Sequence, residues 1–321
     1  MRSRRWIALS GLGLVLAAAS GHAETYPSRP IHVVVPYAAG GVNDVAARLL
    51  QPGLQQALGQ PIVIDNRSGA NGTIGSSLVA KAAPDGYTLL VDNESHAVNP
   101  AIYAKLPYDS AHDFAPVTLV CTIDRLFVIN GSLPAQTLAE FVALAKAQPG
   151  KLNYAIAASP VQLAMELFDE IAGIDLTAVL YRGGAPAMQA MLGNETQITF
   201  VPLAPAASYL QAGQLRALAT AGTRRPPQLP AVPTIAEAGY PGFEAPSWIG
   251  VLAPAGTPPE VIQRLHDAVA GTLAAPDVVE RFGALGMDVA AQPSDRFGRF
   301  IARETAKWVK VAHDHHITAV E

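Results

Sequence analysis

The chain has 321 residues, half of them hydrophobic, with 22 basic and 26 acidic side chains for a formal charge of -4. That composition excludes disorder as the main state and allows one large domain or two of ordinary size. A single cysteine, Cys121, excludes an internal disulfide and any multi-cysteine metal cluster, while 27 glycines and 26 prolines without a collagen-like period imply many turns and short elements.

Arg2, Arg4 and Arg5 precede an apolar run from Trp6 to Ala19, and Ser20-Gly21-His22-Ala23 places small residues at its end. This is the pattern of a secretory signal peptide over residues 1–23, with cleavage after Ala23. The run is too short to cross about 30 Å of hydrocarbon comfortably. Cleavage removes three arginines and no acids, leaving 298 residues with 19 basic against 26 acidic side chains and a charge of -7. So acidic a product argues against a nucleic-acid partner, and no later stretch has the length and apolarity of a membrane span.

The mature chain then runs through β/α alternation. Ile31 to Val35 predicts a buried strand, Gly40-Gly41 a loop, and the periodicity through Ala46, Ala47, Leu49 and Leu50 a helix that Asn43 or Asp44 caps. Pro61 to Ile64 is a second strand, Ser68 to Gly75 a glycine-rich turn, Ile74 to Ala82 a helix, and Tyr87 to Val91 a third strand. From Asp124 the cycle restarts. Strands are predicted at Leu126–Ile129, Leu152–Ala155, Thr177–Tyr181 and Gln197–Val201, with helices at Leu138–Ala147, Pro160–Ile171 and Pro186–Leu192. The segment from Thr223 to Pro233 reads as extended surface. After it come a strand at Trp248–Ala253 and helices at Pro258–Leu273 and Phe297–Val311, too little to form a sheet alone.

The expected fold is therefore α/β and two-lobed. Each lobe is a mixed, mostly parallel sheet flanked by helices, with a ligand cleft between. Residues 24–124 form the first part of lobe 1, 125–246 form lobe 2, and 247–321 return to complete lobe 1. Crossings near Thr122–Arg125 and Ser247–Leu252 form the hinge.

Nucleotide-binding and nucleophile-elbow motifs are absent. His313, His315 and His316 beside Asp314 read as a solvated tail in preference to a metal site, and no cofactor or metal is expected. What remains are loops suited to anions. Tyr37-Ala38-Ala39-Gly40-Gly41-Val42-Asn43 joins a strand to a helix N-terminus, and Tyr181-Arg182-Gly183-Gly184-Ala185 has the same form in the second unit. N–H groups at such loops and the helix dipole favour a carboxylate. Asp44 and Arg48 are four apart, a helix-surface pair or cap. The turn holding Asn66, Arg67, Ser68, Gly69, Ala70 and Asn71 either braces the first loop or touches ligand. Ser95 and His96 follow the third strand, at the end where open α/β sheets bind ligands. Tyr37 and Tyr181 line a pocket or sit in the core.

These residues carry a recognisable order. Pro36-Tyr37-x-x-Gly40-Gly41-x-x-Asp44-x-x-Ala47-Arg48 and Val63-Ile64-Asp65-Asn66-Arg67-x-Gly69-Ala70-x-Gly72-x-Ile74-Gly75 come first. Pro84-Asp85-Gly86-Tyr87-Thr88-Leu89-Leu90, His96-Ala97-Val98-Asn99-Pro100, Tyr181-Arg182-Gly183-Gly184, Leu215-Arg216-Ala217-Leu218-Ala219 and Leu252-Ala253-Pro254-Ala255-Gly256-Thr257-Pro258 follow. The series resembles the substrate-binding proteins of tripartite tricarboxylate transporters, the Bordetella uptake gene family. The resemblance implies a periplasmic receptor of the type II-like periplasmic binding protein fold, expected to be a monomer, that closes on a small organic carboxylate and delivers it to membrane permease subunits. It also implies that the first loop and the loop at Tyr181–Ala185 hold one carboxylate, with Ser68, Ala70, Ser95, His96 and Ser159 completing the site. Three departures stand out. The turn Tyr154–Pro160 is short and lacks the family's glycines and histidine, Val201 replaces a frequent aspartate, and Asp92 and Glu94 occupy a usually neutral segment. Signalling to a membrane sensor kinase is the alternative function. An exported hydrolase or lyase using His96 with Asp92 or Glu94 is a third, lacking a nucleophile.

Overall fold

The computed structural model describes residues 26–318; the expected signal peptide and its cleavage point lie outside the described residues. The chain begins with β1 (Ile31–Val35), α1 (Val42–Leu58), β2 (Ile62–Asn66), α2 (Thr73–Ala80), β3 (Thr88–Asn93), α3 (Ser95–Ile102) and β4 (Phe114–Ile123). It crosses at Asp124 into β5 (Arg125–Asn130), α4 (Leu138–Ala147), β6 (Asn153–Ile156), α5 (Ser159–Ala172), β7 (Thr177–Leu180), α6 (Gly184–Leu192), β8 (Ile198–Pro202), α7 (Leu203–Gln211) and β9 (Leu215–Thr220). It returns as β10 (Ser247–Pro254), α8 (Pro259–Leu273), α9 (Pro276–Ala284), β11 (Met287–Gln292) and α10 (Ser294–Asp314).

Two sheets result, in the orders β11-β4-β10-β3-β1-β2 and β7-β6-β8-β5-β9. Three of the five strand pairs in the first sheet and two of the four in the second are antiparallel, which corrects the mostly parallel expectation. The pairs β1–β2, β1–β3, β6–β7 and β6–β8 are parallel, whereas β10 runs against β3 and β4, β11 against β4, and β5 against β8 and β9. The reason lies in the crossings. The strands next to each crossing, β4, β5 and β10, connect the sheets, and in each sheet the antiparallel pairs involve these strands. The sequence reading did not identify α3, β4, α7, β9, α9 or β11 as elements, and β4 and β11 add two strands to the first sheet.

Strand alternation sends side chains to two separate cores, which is why the central stretches of these strands are largely apolar. In β1, Ile31, Val33 and Val35 pack toward α1 and α8, while Val34 points to the opposite layer with Leu90 and Leu252. In β5, Phe127 and Ile129 join that second layer, and Leu126 and Val128 face α6. Phe127 sits among Phe141, Phe168 and Phe200, with ring centroids 5.0 to 5.4 Å away. The large core is continuous from α3 and α10 of the first lobe to α5 of the second. His315 is correspondingly not a fraying tail residue: its ring lies 3.2 Å from Glu170 Oε2 and 3.4 Å from Glu166 Oε2 on α5.

One buried acid in α5 makes stability pH-dependent. Asp169 accepts the Leu176 N–H at 3.2 Å through Oδ2, while Oδ1 has no partner among the described residues. Burial first, and then the Glu166 charge, push its carboxyl up to about 8. Folding therefore takes up a proton on this group, so its contribution to stability is greatest below the ordinary carboxylate range and is lost as the pH rises toward 8. Asp169→Asn is expected to flatten that decline and raise Tm at pH 8 by roughly 3–6 °C, measured by thermal melts from pH 5 to 8. A parallel, unflattened decline would assign the pH dependence to other groups.

Candidate functional site

The first loop is shaped by α1 itself. The helix begins at Val42, and Gly41, in extended conformation, occupies the cap position without a side-chain bond. Neither Asn43 nor Asp44 is the cap. Asp44, one turn inside, accepts the Gly40 N–H at 2.8 Å and Arg48 Nε at 2.9 Å through the same oxygen. The Arg48 bond, foremost, holds that carboxyl below the usual range. The Gly41 N–H donates to Ala38 O at 3.1 Å. The two glycine N–H groups thus fold the loop, which corrects their reading as donors to ligand. The N–H groups of Ala39, Val42 and Asn43 have no partner among the described residues. Gly75 lets α2 approach this loop, because a Cβ there would stand 2.8 Å from Pro36 Cβ and 2.9 Å from its Cα.

Side chains behind the loop fix it in place. The Tyr37 hydroxyl lies 2.8 Å from both Asp92 Oδ1 and Asn93 Oδ1, and burial pushes the phenol well above its ordinary value. Asn43 is buried; its amide N–H approaches Val91 O at 3.4 Å and its oxygen accepts from Asn93 Nδ2 at 3.1 Å. Ser95 opens α3, its N–H donating to Asn93 Oδ1 at 2.9 Å. His96 is 0 % exposed, stacked edge-on against Phe114, with Nε2 3.2 Å from Ser110 O and Nδ1 3.4 Å from Asp92 Oδ2. It is therefore a support beneath the cleft, closed off from anything bound there, and not a ligand contact or a catalytic base.

The two unexpected acids are internally satisfied. Asp92 also accepts from Ser76 Oγ at 3.2 Å and from the Asn93 N–H at 2.9 Å. Glu94 pairs with Arg125, the first residue of β5, and its other oxygen accepts Ser247 Oγ at 2.6 Å and the Trp248 N–H at 3.4 Å. Glu94 and Arg125 are 7 % and 6 % exposed. One carboxylate from lobe 1 thus ties together the strands that follow both crossings.

The second loop follows the same plan with different donors. Gly183, at φ 103, occupies a conformation that favours glycine, and its N–H donates to Tyr181 O at 2.9 Å. The helix starts at Gly184, so Pro186 is its third residue and not its first, and it has no N–H to offer. Gly184 and Ala185 keep theirs, unpartnered among the described residues. Tyr181 packs on the lobe 2 core, and Arg182 is exposed.

A cleft of about 520 Å³ joins the two helix starts. Val42, Asn93, Glu94, Ile123 and Ser247 line it from the first lobe; Arg125, Ala157, Val161, Gly184, Ala185, Met188 and Gln189 line it from the second. Phe200, Val201, Pro202, Pro205 and Tyr209 complete the second wall. Of the residues predicted from sequence, only Gly184 and Ala185 line this cavity directly; Asn43 flanks Val42, and Ser95 flanks Glu94. Ser68 and Ala70 are exposed on the turn beside it, where Asn71 Nδ2 reaches Ser159 Oγ at 3.4 Å across the lobes. The wall from Phe200 to Tyr209 went unrecognised because α7 starts directly where β8 ends, leaving no loop signature to read.

Two α/β lobes joined by two crossings, with unpartnered helix N-termini facing one another across a cleft, define a bilobal solute-binding protein. Among the described residues no helix is long and apolar enough to cross a membrane. The family model of the tripartite tricarboxylate transporter family receptor, TctC, matches residues 46–316, and the chain belongs to that family. Protein BugT of Bordetella pertussis is 38% identical over 320 residues, covering 98% of both chains. The solved structure of R. palustris Rpa4515 with adipate aligns with TM-score 0.80 at 36% identity, covering 92% of this chain and 100% of that one. MatC of Rhodopseudomonas palustris with bound malate aligns with TM-score 0.75 at 34% identity, covering 89% and 99%.

Proposed function

We propose that this protein is a periplasmic receptor that captures a small organic carboxylate and hands it to the membrane permease subunits of a tripartite tricarboxylate-type transporter. One observation carries the reading: the starts of α1 and α6, each with free N–H groups, face each other across a single cleft. Two converging helix N-termini are suited to one carboxylate, and adipate and malate are the molecules in the two related structures above. Both walls of the cleft come from one chain, which supports action as a monomer. The crossings at Asp124 and before Ser247 act as the hinge, and residues 1–23 serve as the export signal, removed after Ala23. A net charge of -7 after export offers no long-range attraction for an anion, so affinity is local to the cleft.

Isothermal calorimetry on the chain beginning at Glu24, against mono-, di- and tricarboxylates, is expected to give saturable binding for at least one acid. Small-angle scattering is expected to show a decrease in radius of gyration with the same acid. Binding by none of the panel would overturn the proposal.

A further inference from the structure

Granting the carboxylate receptor reading, on which it rests, we infer that Glu94 makes this cleft selective for acids with a single carboxylate and a neutral, apolar body. Glu94 and Arg125 are the only charged residues among those lining the cavity, and each neutralises the other. Ser247 Oγ and the Trp248 N–H hold the Glu94 carboxylate in that arrangement. Arg125 is thereby occupied, and Arg182 stands exposed outside the lining. The facing wall is apolar through Ala157, Val161, Met188, Phe200, Val201 and Pro202, and its polar members, Gln189 and Tyr209, carry no charge.

A first carboxylate has the N–H groups of α1 and α6 to receive it. A second would leave water for a wall that offers no free cation, its one guanidinium already spent on Glu94, and a charge desolvated without an opposite charge is disfavoured. An alkyl or aryl body meets the same wall favourably.

Calorimetry with acids of matched skeleton tests this: hexanoate against adipate, and benzoate against terephthalate. The wild-type protein is expected to bind the monoacid of at least one pair about tenfold or more tightly than its diacid. Glu94→Gln frees Arg125 inside the cleft and is expected to shift the adipate-to-hexanoate ratio toward adipate by about tenfold. Glu94→Gln/Arg125→Gln, which frees no cation, is expected to lose that gain. Tighter diacid binding by the wild type overturns the inference and leaves the receptor reading intact; no binding of any acid overturns the receptor reading itself. An unchanged ratio in folded Glu94→Gln removes the role assigned to Glu94. If that variant does not fold, the wild-type ratios decide alone.

Discussion

Arg125→Ala is expected to cost about 3–5 kcal/mol of unfolding free energy, the size associated with removing one partner of a buried ion pair. Arg125 opens β5 immediately after the first crossing, Glu94 follows β3, and Ser247 opens β10 after the second. Without the guanidinium, Glu94 keeps only Ser247 Oγ and the Trp248 N–H, and its charge stays buried between the lobes. The loss therefore comes mainly from the stranded carboxylate and much less from the attraction removed. Glu94→Gln/Arg125→Met carries no buried charge there and is expected to recover most of the deficit. Urea denaturation of the wild type, Arg125→Ala and Glu94→Gln/Arg125→Met measures the loss and its recovery; a loss below about 1 kcal/mol in Arg125→Ala would show that the pair behaves like an exposed one. Because the pair spans the junction, the variant is also expected to alter the balance between open and closed lobes, read as a changed radius of gyration without ligand.

The lobes and the anion loops were legible because their signals are local. A strand, a glycine pair and an amphipathic helix follow one another in sequence at residues 31–58, and the same grammar recurs at 177–192. Which N–H groups stay free was not legible, since it depends on Asp44 turning back to Gly40 and on Gly183 closing onto Tyr181. Gly184 was set outside its helix because glycine is a poor helix former and Pro186 a good first residue; the chain spends a glycine at the start, where no Cβ intrudes on the cleft. In β4, Pro116 and two register shifts against β10 interrupt the alternation that marks a strand. The pairing of Glu94 with Arg125 had no signature at all, because 31 residues separate the partners and only the crossing brings them together.

Gly184→Asp is expected to abolish most carboxylate binding, by about 100-fold or more, while leaving the fold as stable as before or slightly more so. A side chain fits at this position, since a Cβ there meets nothing within 4 Å. An acid in the first turn of α6 interacts favourably with the helix dipole by about 0.3–1 kcal/mol. The same carboxylate would take up the N–H groups of Gly184 and Ala185 and place a negative charge where the ligand's must sit. At about 4 Å two like charges repel by about 4 kcal/mol at the effective dielectric of a partly exposed site, more than the factor of 100 requires. Gly184→Asn separates charge from bulk: it has nearly the same shape and is expected to lose about tenfold or less. Calorimetry with the acid that the wild type binds most tightly, beside thermal melts of all three proteins, gives both readouts. Equal losses in the Asp and Asn variants would mean that space, not charge, decides binding at α6. An unimpaired Asp variant would remove α6 from the carboxylate site altogether.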